Sequence, residues 1–587
     1  MSKVGGKAFD IKLFFKVLAY ARPYRLLFIS SVVLTIVLGG LGTARPILVQ
    51  RIIDNGILGD SPETLLNLMI ILVALLVLES VGQFGFMYAA NWLGQSIIKD
   101  IRIELFDRLQ KFRLSFYDRR PIGQLVTRVV SDIETIAQIF SEGILVIFGE
   151  LFRILVMLSA MFFFFDPILV LISLSIIPVL FIATRWFQRG IKGAFQRVRS
   201  EVSNLNTFVQ EHLGGMAIVQ AFGREEQEYK KFETINNRHR QANVDSIFYY
   251  ALFFPIIEIL SAVSIGLAVW YGGINAASGG SIGVGELTAM IMFIGMLFRP
   301  LRQLADRFNT LQMGMVASER VLDLLGNTED LEPNGSIVLP ELQGRISFEN
   351  VHFSYNPEEP ILKDVSFDIA PGETVAVVGA TGAGKSTIIS AIMGFYPYSK
   401  GRILIDGEEL PNLDIHALRS QMALVLQDVF LFSDTVRSNI AMGDESIDDA
   451  QILEAAKSIG IADFIAELPS GLDYNVQERG GVLSAGQRQL LAFLRAYITN
   501  PSVLILDEAT SNVDSHTEEM IQRALIALTE NRTSVIVAHR LSTIQHADRI
   551  IVLDKGEVVE MGSHSELLAK EGAYFNLYEK QFAQSED

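Results

Sequence analysis

The sequence predicts a multidomain membrane protein. An all-α, six-helix transmembrane domain with long cytoplasmic helical extensions is followed by an α/β domain built around a phosphate-binding loop. Three observations carry this reading. Residues from about 20 to 310 hold long apolar runs, whereas the remainder reads as a soluble α/β protein. The segment Gly379-Ala380-Thr381-Gly382-Ala383-Gly384-Lys385-Ser386-Thr387 fits the pattern G-x-x-x-x-G-K-[ST] at every fixed position. Strand-like and helix-like runs alternate around it.

Composition narrows the chemistry. The 587 residues are 50% hydrophobic and 20% charged, with a formal net charge of −17. Such an acidic excess argues against nucleic acid as the main partner. With no cysteine, disulfides, thiolate nucleophiles and Cys-ligated metal centres are excluded.

In chain order, the first element is Phe9–Leu18, an amphipathic, Lys-containing stretch suited to a short helix on the inner membrane face. No cleavable signal peptide is evident. Six spans follow, near Tyr24–Gln50, Leu65–Trp92, Phe140–Phe165, Pro167–Trp186, Ile247–Tyr271 and Glu286–Phe308. Each can cross ~30 Å of hydrocarbon, which needs ~20 residues. Asp166-Pro167 marks a tight turn between the third and fourth. Lys and Arg crowd the N-terminal segment and the two long connections, but not that turn or the Ser278–Gly285 loop. By the positive-inside rule the N-terminus and both connections are cytoplasmic, and six spans return the chain to that side.

The connections, about 94–138 and 187–245, are helical in pattern, with bends near Phe116–Gly123 and Glu211–Met216. At 1.5 Å per residue, arms of ~22 residues would project ~30 Å. Three acids lie deep in the spans: Glu79, Glu150 and Glu258. Glu150 and Arg153 are spaced to pair on one helix face, a structural role. Glu79 and Glu258 have no local partner and are candidates to line a cavity, against pairing with another helix or a water. Domain bounds follow as 1–22 for the N-terminal elbow, 23–326 for the transmembrane domain, 327–344 for a polar linker and 345–587 for the α/β domain.

Around the phosphate loop, Thr374–Val378 reads as a buried strand and Ile388–Ile392 as the opening of a helix. Glycines let backbone N–H groups converge on phosphate oxygens, and the helix start is positive. Lys385 can reach the β- and γ-phosphates of ATP, and Ser386 can ligate Mg²⁺. The apolar strand Val503–Leu506 ends in Asp507, placed for Mg²⁺, and Glu508, placed for the attacking water. Gln427 follows Met422–Leu426 with an amide for Mg²⁺ or water, and His539 follows Ser534–Ala538 with a γ-phosphate target. Tyr355 is placed to stack on a purine. Leu483-Ser484-Ala485-Gly486-Gln487 forms a second anion-binding turn, opening a helix over Gln489–Ala496. Two cradles in one chain suggest that the second serves the nucleotide of a partner chain.

These residues resemble the ATP-binding cassette (ABC) exporters of the six-helix half-transporter type, over essentially the whole chain. The phosphate loop 379–387, Gln427, the signature 483–487, Asp507, Glu508, the D-loop Ser511-Asn512-Val513-Asp514 and His539 stand in family order. The resemblance implies that nucleotide contacts come from Tyr355, Gly379, Thr381, Gly382, Ala383, Gly384, Lys385, Ser386, Thr387 and Gln427, with Ser484, Gly486, Gln487 and Asp514 supplied across a dimer. It implies Mg²⁺ at Ser386, Gln427 and Asp507, and catalysis by Glu508, His539 and Gln427. Glu478-Arg479-Gly480 looks like the exporter cross-interaction segment, and the two bends look like coupling helices. Ala485 departs from the commonest signature, Leu-Ser-Gly-Gly-Gln, by one methyl. The function implied is ATP-driven export or flipping of a drug, lipid or peptide by a homodimer, or by the intact half of a heterodimer, in a bacterial inner membrane. An ATP-gated channel or regulatory subunit is the alternative, and a soluble-type cassette ATPase is opposed by the spans.

Overall fold

The computed structural model describes residues 11–280, 282–356, 358–507, 514–538 and 541–581. They form two compact units. One comprises residues up to Gln110 together with Ile122–Asn327; the other comprises Lys111–Pro121 together with Thr328 onward.

Among its described residues the regular elements of the first unit are all helices. Ile11–Ala19 is a short amphipathic helix of the kind read from the sequence. Among the described residues, five helical stretches are long and apolar enough to cross a membrane: Arg22–Ile57, Pro62–Gln110, Ile122–Phe164, Pro167–Gly214 and Glu225–Ala277. A further helix, Val284–Gly326, contains the sixth expected span, and its apolar part is the shorter Val284–Phe298. Their outward apolar side chains need lipid: Phe163 is 82% exposed. Inward, Met157, Phe187, Phe253 and Phe293 belong to one core, where the Phe187 and Phe253 rings stack at 4.0 Å. The turn between the third and fourth spans forms because Asp166 accepts hydrogen bonds from the Ile168 and Leu169 N–H groups and Pro167 starts the next helix.

Both expected bends are present. Pro62–Gln110 stops before the five-residue helix Leu114–Asp118, and Ile122 resumes the helical path. Ile177–Gly214 gives way to Met216–Ala221, then Glu225–Ala277. The second break is local chemistry, with Gly214-Gly215 at one end and Gly223 at φ +56° at the other.

Among the described residues the second unit carries ten strands: β1 Ile346–Phe353, β2 Leu362–Ile369, β3 Thr374–Gly379, β4 Lys400–Ile405, β5 Glu408–Glu409, β6 Met422–Val425, β7 Val503–Asp507, β8 Thr533–Val537, β9 Arg549–Asp554 and β10 Glu557–Gly562. The first sheet, ordered β2-β1-β4-β5, is antiparallel; the second, β10-β9-β3-β8-β7-β6, is parallel except at β10. The second sheet separates two cores. Ala376, Val378, Leu504, Leu506 and Ile536 face one; Val375, Val377, Val503, Ile505 and Val535 face the other. Burial on both faces explains why these strands read as continuous apolar runs. Each buried Val, Leu or Ile contributes about 1.5–3 kcal/mol.

Candidate active site and membrane cavity

The sheet places the predicted groups along one edge. β3, β8, β7 and β6 are neighbouring parallel strands, and their carboxyl ends carry Gly379, Val537, Asp507 and, two residues on, Gln427. Ligands of open α/β sheets bind at this edge. Glu508 and His539, the predicted catalytic pair, fall outside the described residues, as do Ser511, Asn512 and Val513. The described neighbours Asp507 and Ala538 lie at the same edge.

The phosphate loop runs from β3 into the helix Lys385–Ile392, which begins earlier than the sequence pattern suggests. Two glycines are obligatory for different reasons. A Cβ on Gly379 would lie 2.3 Å from the Leu553 carbonyl oxygen, and Gly384 caps the helix at φ +104°. Thr381 and Gly382 are exposed, Ala383 and Thr387 buried, and Ser386 exposed at the loop mouth. Lys385 is 7% exposed, and its Nζ donates to the carbonyls of Gly379 at 2.8 Å and Ala380 at 3.1 Å. Burial pushes its ammonium below the usual lysine range, and the nearby Asp507 carboxylate opposes that shift. Loop and strand end are thus in electrostatic contact.

Tyr355 is half-exposed. Its ring meets Tyr396 edge-on at 4.9 Å, and its hydroxyl donates at 3.5 Å to Ser390, whose hydroxyl binds the Ser386 carbonyl. This joins the aromatic platform to the phosphate-loop helix. Gln427 is exposed beyond β6.

The signature turn stands elsewhere. Ser484 caps the helix Ala485–Ile498, so the helix starts four residues before the expected Gln489. The reason is a capping box: the Gln487 N–H donates to Ser484 Oγ at 3.2 Å, and Ser484 N–H donates to Gln487 Oε1 at 2.9 Å. The Ser484 oxygen acts as acceptor there, so its O–H proton remains available to donate to another group. Among the described residues, Ser484, Gly486 and Gln487 make no hydrogen bond to the phosphate loop. Asp514 caps the helix Ser515–Thr529, and the hydrogen bond from Thr517 N–H holds its carboxyl below the usual range.

In the first unit, a cavity of about 880 Å³ opens between the first three spans and Pro300. Glu79 lines it, as expected. Glu258 does not. It is exposed, turned off the face that Phe253 and Ile257 bury. The expected Glu150–Arg153 pair is also absent: Glu150 Oε2 and Arg153 Nε are both buried without a hydrogen-bond partner. Arg153 Nη2 instead lies beside Gly42, as does Glu79 Oε1. Glu79 has a partner that local spacing could not reveal, Arg45 on the first span, at 3.8 Å. Arg45 was not among the predicted site residues; its one signal is a lone Arg inside an apolar span.

The comparisons decide the family. Residues 27–301 match the model for the ABC transporter transmembrane region, and 362–511 match that for the ABC transporter cassette. The ATP-dependent lipid A-core flippase of Syntrophus aciditrophicus is 33% identical over 98% of this chain and 96% of its own length.

The chain belongs to the ABC transporter family.

The probable multidrug resistance ABC transporter ATP-binding/permease protein YheH of Bacillus subtilis is 35% identical over 87% of this chain and 76% of its own. A solved bacterial Atm1-family ABC exporter with ATP bound superposes with TM-score 0.76 at 29% identity, covering 94% of this chain and 98% of that one. The transporter is thus a half-transporter of the exporter type, a helical transmembrane domain followed by an α/β nucleotide-binding domain. It hydrolyses ATP and couples that hydrolysis to transport.

Proposed function

We propose that two identical copies of this chain export or flip an amphipathic or hydrophobic drug, lipid or peptide. The molecule would leave from the cytoplasmic side or inner leaflet of a bacterial inner membrane, with the N-terminus and nucleotide-binding domains cytoplasmic. One observation carries the reading: a single chain joins membrane-spanning helices around a cavity of about 880 Å³ to a phosphate-loop ATPase domain. The lipid A-core flippases and the multidrug protein among the relatives support this breadth of substrate.

In the proposed cycle, loop residues 379–387 hold the phosphates and Tyr355 the adenine. Ser484, Gly486, Gln487 and Asp514 act on the nucleotide held by the partner copy. Glu508 orients the attacking water, with His539 and Gln427 positioning around the γ-phosphate. A Mg²⁺ ion would be held by Ser386, Gln427 and Asp507. Their hard oxygen donors suit it, and phosphate oxygens would supply further ligands. When bound, the ion supplies charge neutralisation between phosphate oxygens. ATP binding then biases a bistable dimer toward the outward-facing state, and hydrolysis resets it.

The test is ATP-dependent uptake of fluorescent amphiphiles into inverted vesicles, with Glu508→Gln as the control. Uptake that depends on ATP and vanishes in the control supports export. ATP-dependent conductance without uptake against a gradient would establish a channel instead.

A further inference from the structure

We infer that the membrane cavity recognises a zwitterionic amphiphile: an apolar body whose head carries an anionic group and, a few ångströms away, a cationic one. This rests on the export reading and names the substrate class of the same cavity.

The observation is a four-charge cluster at one level of the membrane. Arg45 lies on the first span, Glu79 on the second, Glu150 and Arg153 on the third. Counted from the ends of the continuous helical stretches at Ile57, Pro62 and Phe164, each sits roughly 15–25 Å along its helix at 1.5 Å per residue. All four line the cavity. A charge in hydrocarbon is costly, so four at one depth need a reason.

A purely structural cluster would satisfy itself, and this one does not. The Arg45–Glu79 pair is 3.8 Å apart, too long for a hydrogen bond. Arg45 Nε, Arg153 Nε and Glu150 Oε2 are buried with no partner. Residues that line the cavity of about 880 Å³ are therefore left incompletely satisfied by protein partners, on both the cationic and the anionic side.

The charges are also unevenly placed. Gly42 has no side chain, and Arg153 Nη2 and Glu79 Oε1 both approach to 3.6 Å from where one would begin. Arg45 meets the same Glu79 carboxylate. This part of the cavity wall therefore carries two guanidiniums, Arg45 and Arg153, and one carboxylate, Glu79, which makes a pole of net charge +1. Glu150, roughly one helical turn from Arg153, is a pole of charge −1. A purely anionic head would meet Glu150; a purely cationic one would meet the guanidiniums. A head with both charges satisfies both poles, a phosphate or carboxylate on Arg45 and Arg153 and an ammonium on Glu150. The apolar walls of Leu38, Leu76, Phe86 and Leu145 take the rest.

The experiment uses the full chain in liposomes of phosphatidylglycerol, so that the bilayer offers no competing zwitterion. ATPase stimulation is titrated with three probes of equal chain length: lysophosphatidylethanolamine, an alkyl phosphate and an alkylamine. Each is read relative to the basal rate of the same preparation. The wild type should respond to the zwitterion at a concentration about tenfold or more below the other two, about 1.4 kcal/mol of preference. Glu150→Gln should shift the preference toward the alkyl phosphate, and Arg153→Gln toward the alkylamine. These opposite shifts are what a merely structural cluster would not produce. Equal response of the wild type to all three probes, or a shift in the same direction in both variants, overturns the inference even if a variant folds poorly. Absence of ATP-driven uptake of any amphiphile into inverted vesicles would instead overturn the export reading beneath it.

Discussion

At the scale of single residues, Lys385 shows how a burial cost is held for later use. Its ammonium is nearly enclosed and rests on the loop's own carbonyls, with burial depressing its pKa. Triphosphate arriving at the loop raises that pKa again, so binding above the empty-site pKa takes up a proton. ATP affinity should be complete below that pKa and fall as pH rises through it. Calorimetry at alkaline pH in buffers of different ionisation enthalpy measures this; zero proton uptake there would reject the role. Lys385→Ala should weaken ATP binding itself, because the phosphate counter-charge is lost. Glu508→Gln should do the reverse: ATP still binds, while turnover falls by roughly 10²–10⁴. Near-wild-type turnover in the purified variant would remove Glu508 from the proposed chemistry. The nucleotide residues were legible because contiguous motifs encode their chemistry. The cavity charges were only half legible. Spacing along one helix suggested Glu150 with Arg153, but the real neighbours of Glu79 come from another helix, which sequence separation hides.

At the scale of elements, the segment Lys111–Pro121 matters most. Its bend was legible in the sequence, and the resemblance to a coupling helix agrees with where it packs: with the nucleotide-binding unit, while the chain on both sides belongs to the membrane unit. Phe116 anchors it, 1% exposed, against Phe112 at 4.3 Å and beneath the Arg120 guanidinium at 4.5 Å. Arg119 pairs with Asp330 at 2.8 Å, and Phe112 bridges to Leu331. Asp118 accepts a hydrogen bond from Tyr396, whose ring meets Tyr355. This contact chain runs from the expected adenine platform to the segment, and no motif announced it because its members are distant in sequence. Phe116→Ala should cost about 3–5 kcal/mol where the segment docks. Hydrogen exchange at 114–118 should quicken, and transported amphiphiles should no longer stimulate ATP hydrolysis. Unchanged stimulation alongside quickened exchange would show that the segment carries no coupling.

At the scale of the whole molecule, each chain holds two anion-ready helix starts whose hydrogen bonds do not meet: the phosphate loop at Lys385 and the signature turn at Ser484. A second copy would complete both sites by symmetry, since a two-fold dimer pairs each loop with the other chain's signature. This can be tested with chains that are each defective in a different half. Lys385→Ala chains and Ser484→Arg chains should each be nearly inactive alone. The second change also removes a helix cap, about 1 kcal/mol, too little to unfold a domain of ordinary stability. In a mixed dimer one site carries both lesions, while the other joins an intact loop to an intact signature. Equal, random mixing makes half the dimers mixed, so about a quarter of all sites should be whole. ATP occlusion in the mixture should recover toward that fraction. If the mixture stays as inactive as its components while wild-type chains remain paired, the sites do not cross the interface. If the wild-type chain is monomeric in lipid and turns over ATP only with an unrelated half-transporter added, the homodimer gives way to a heterodimer.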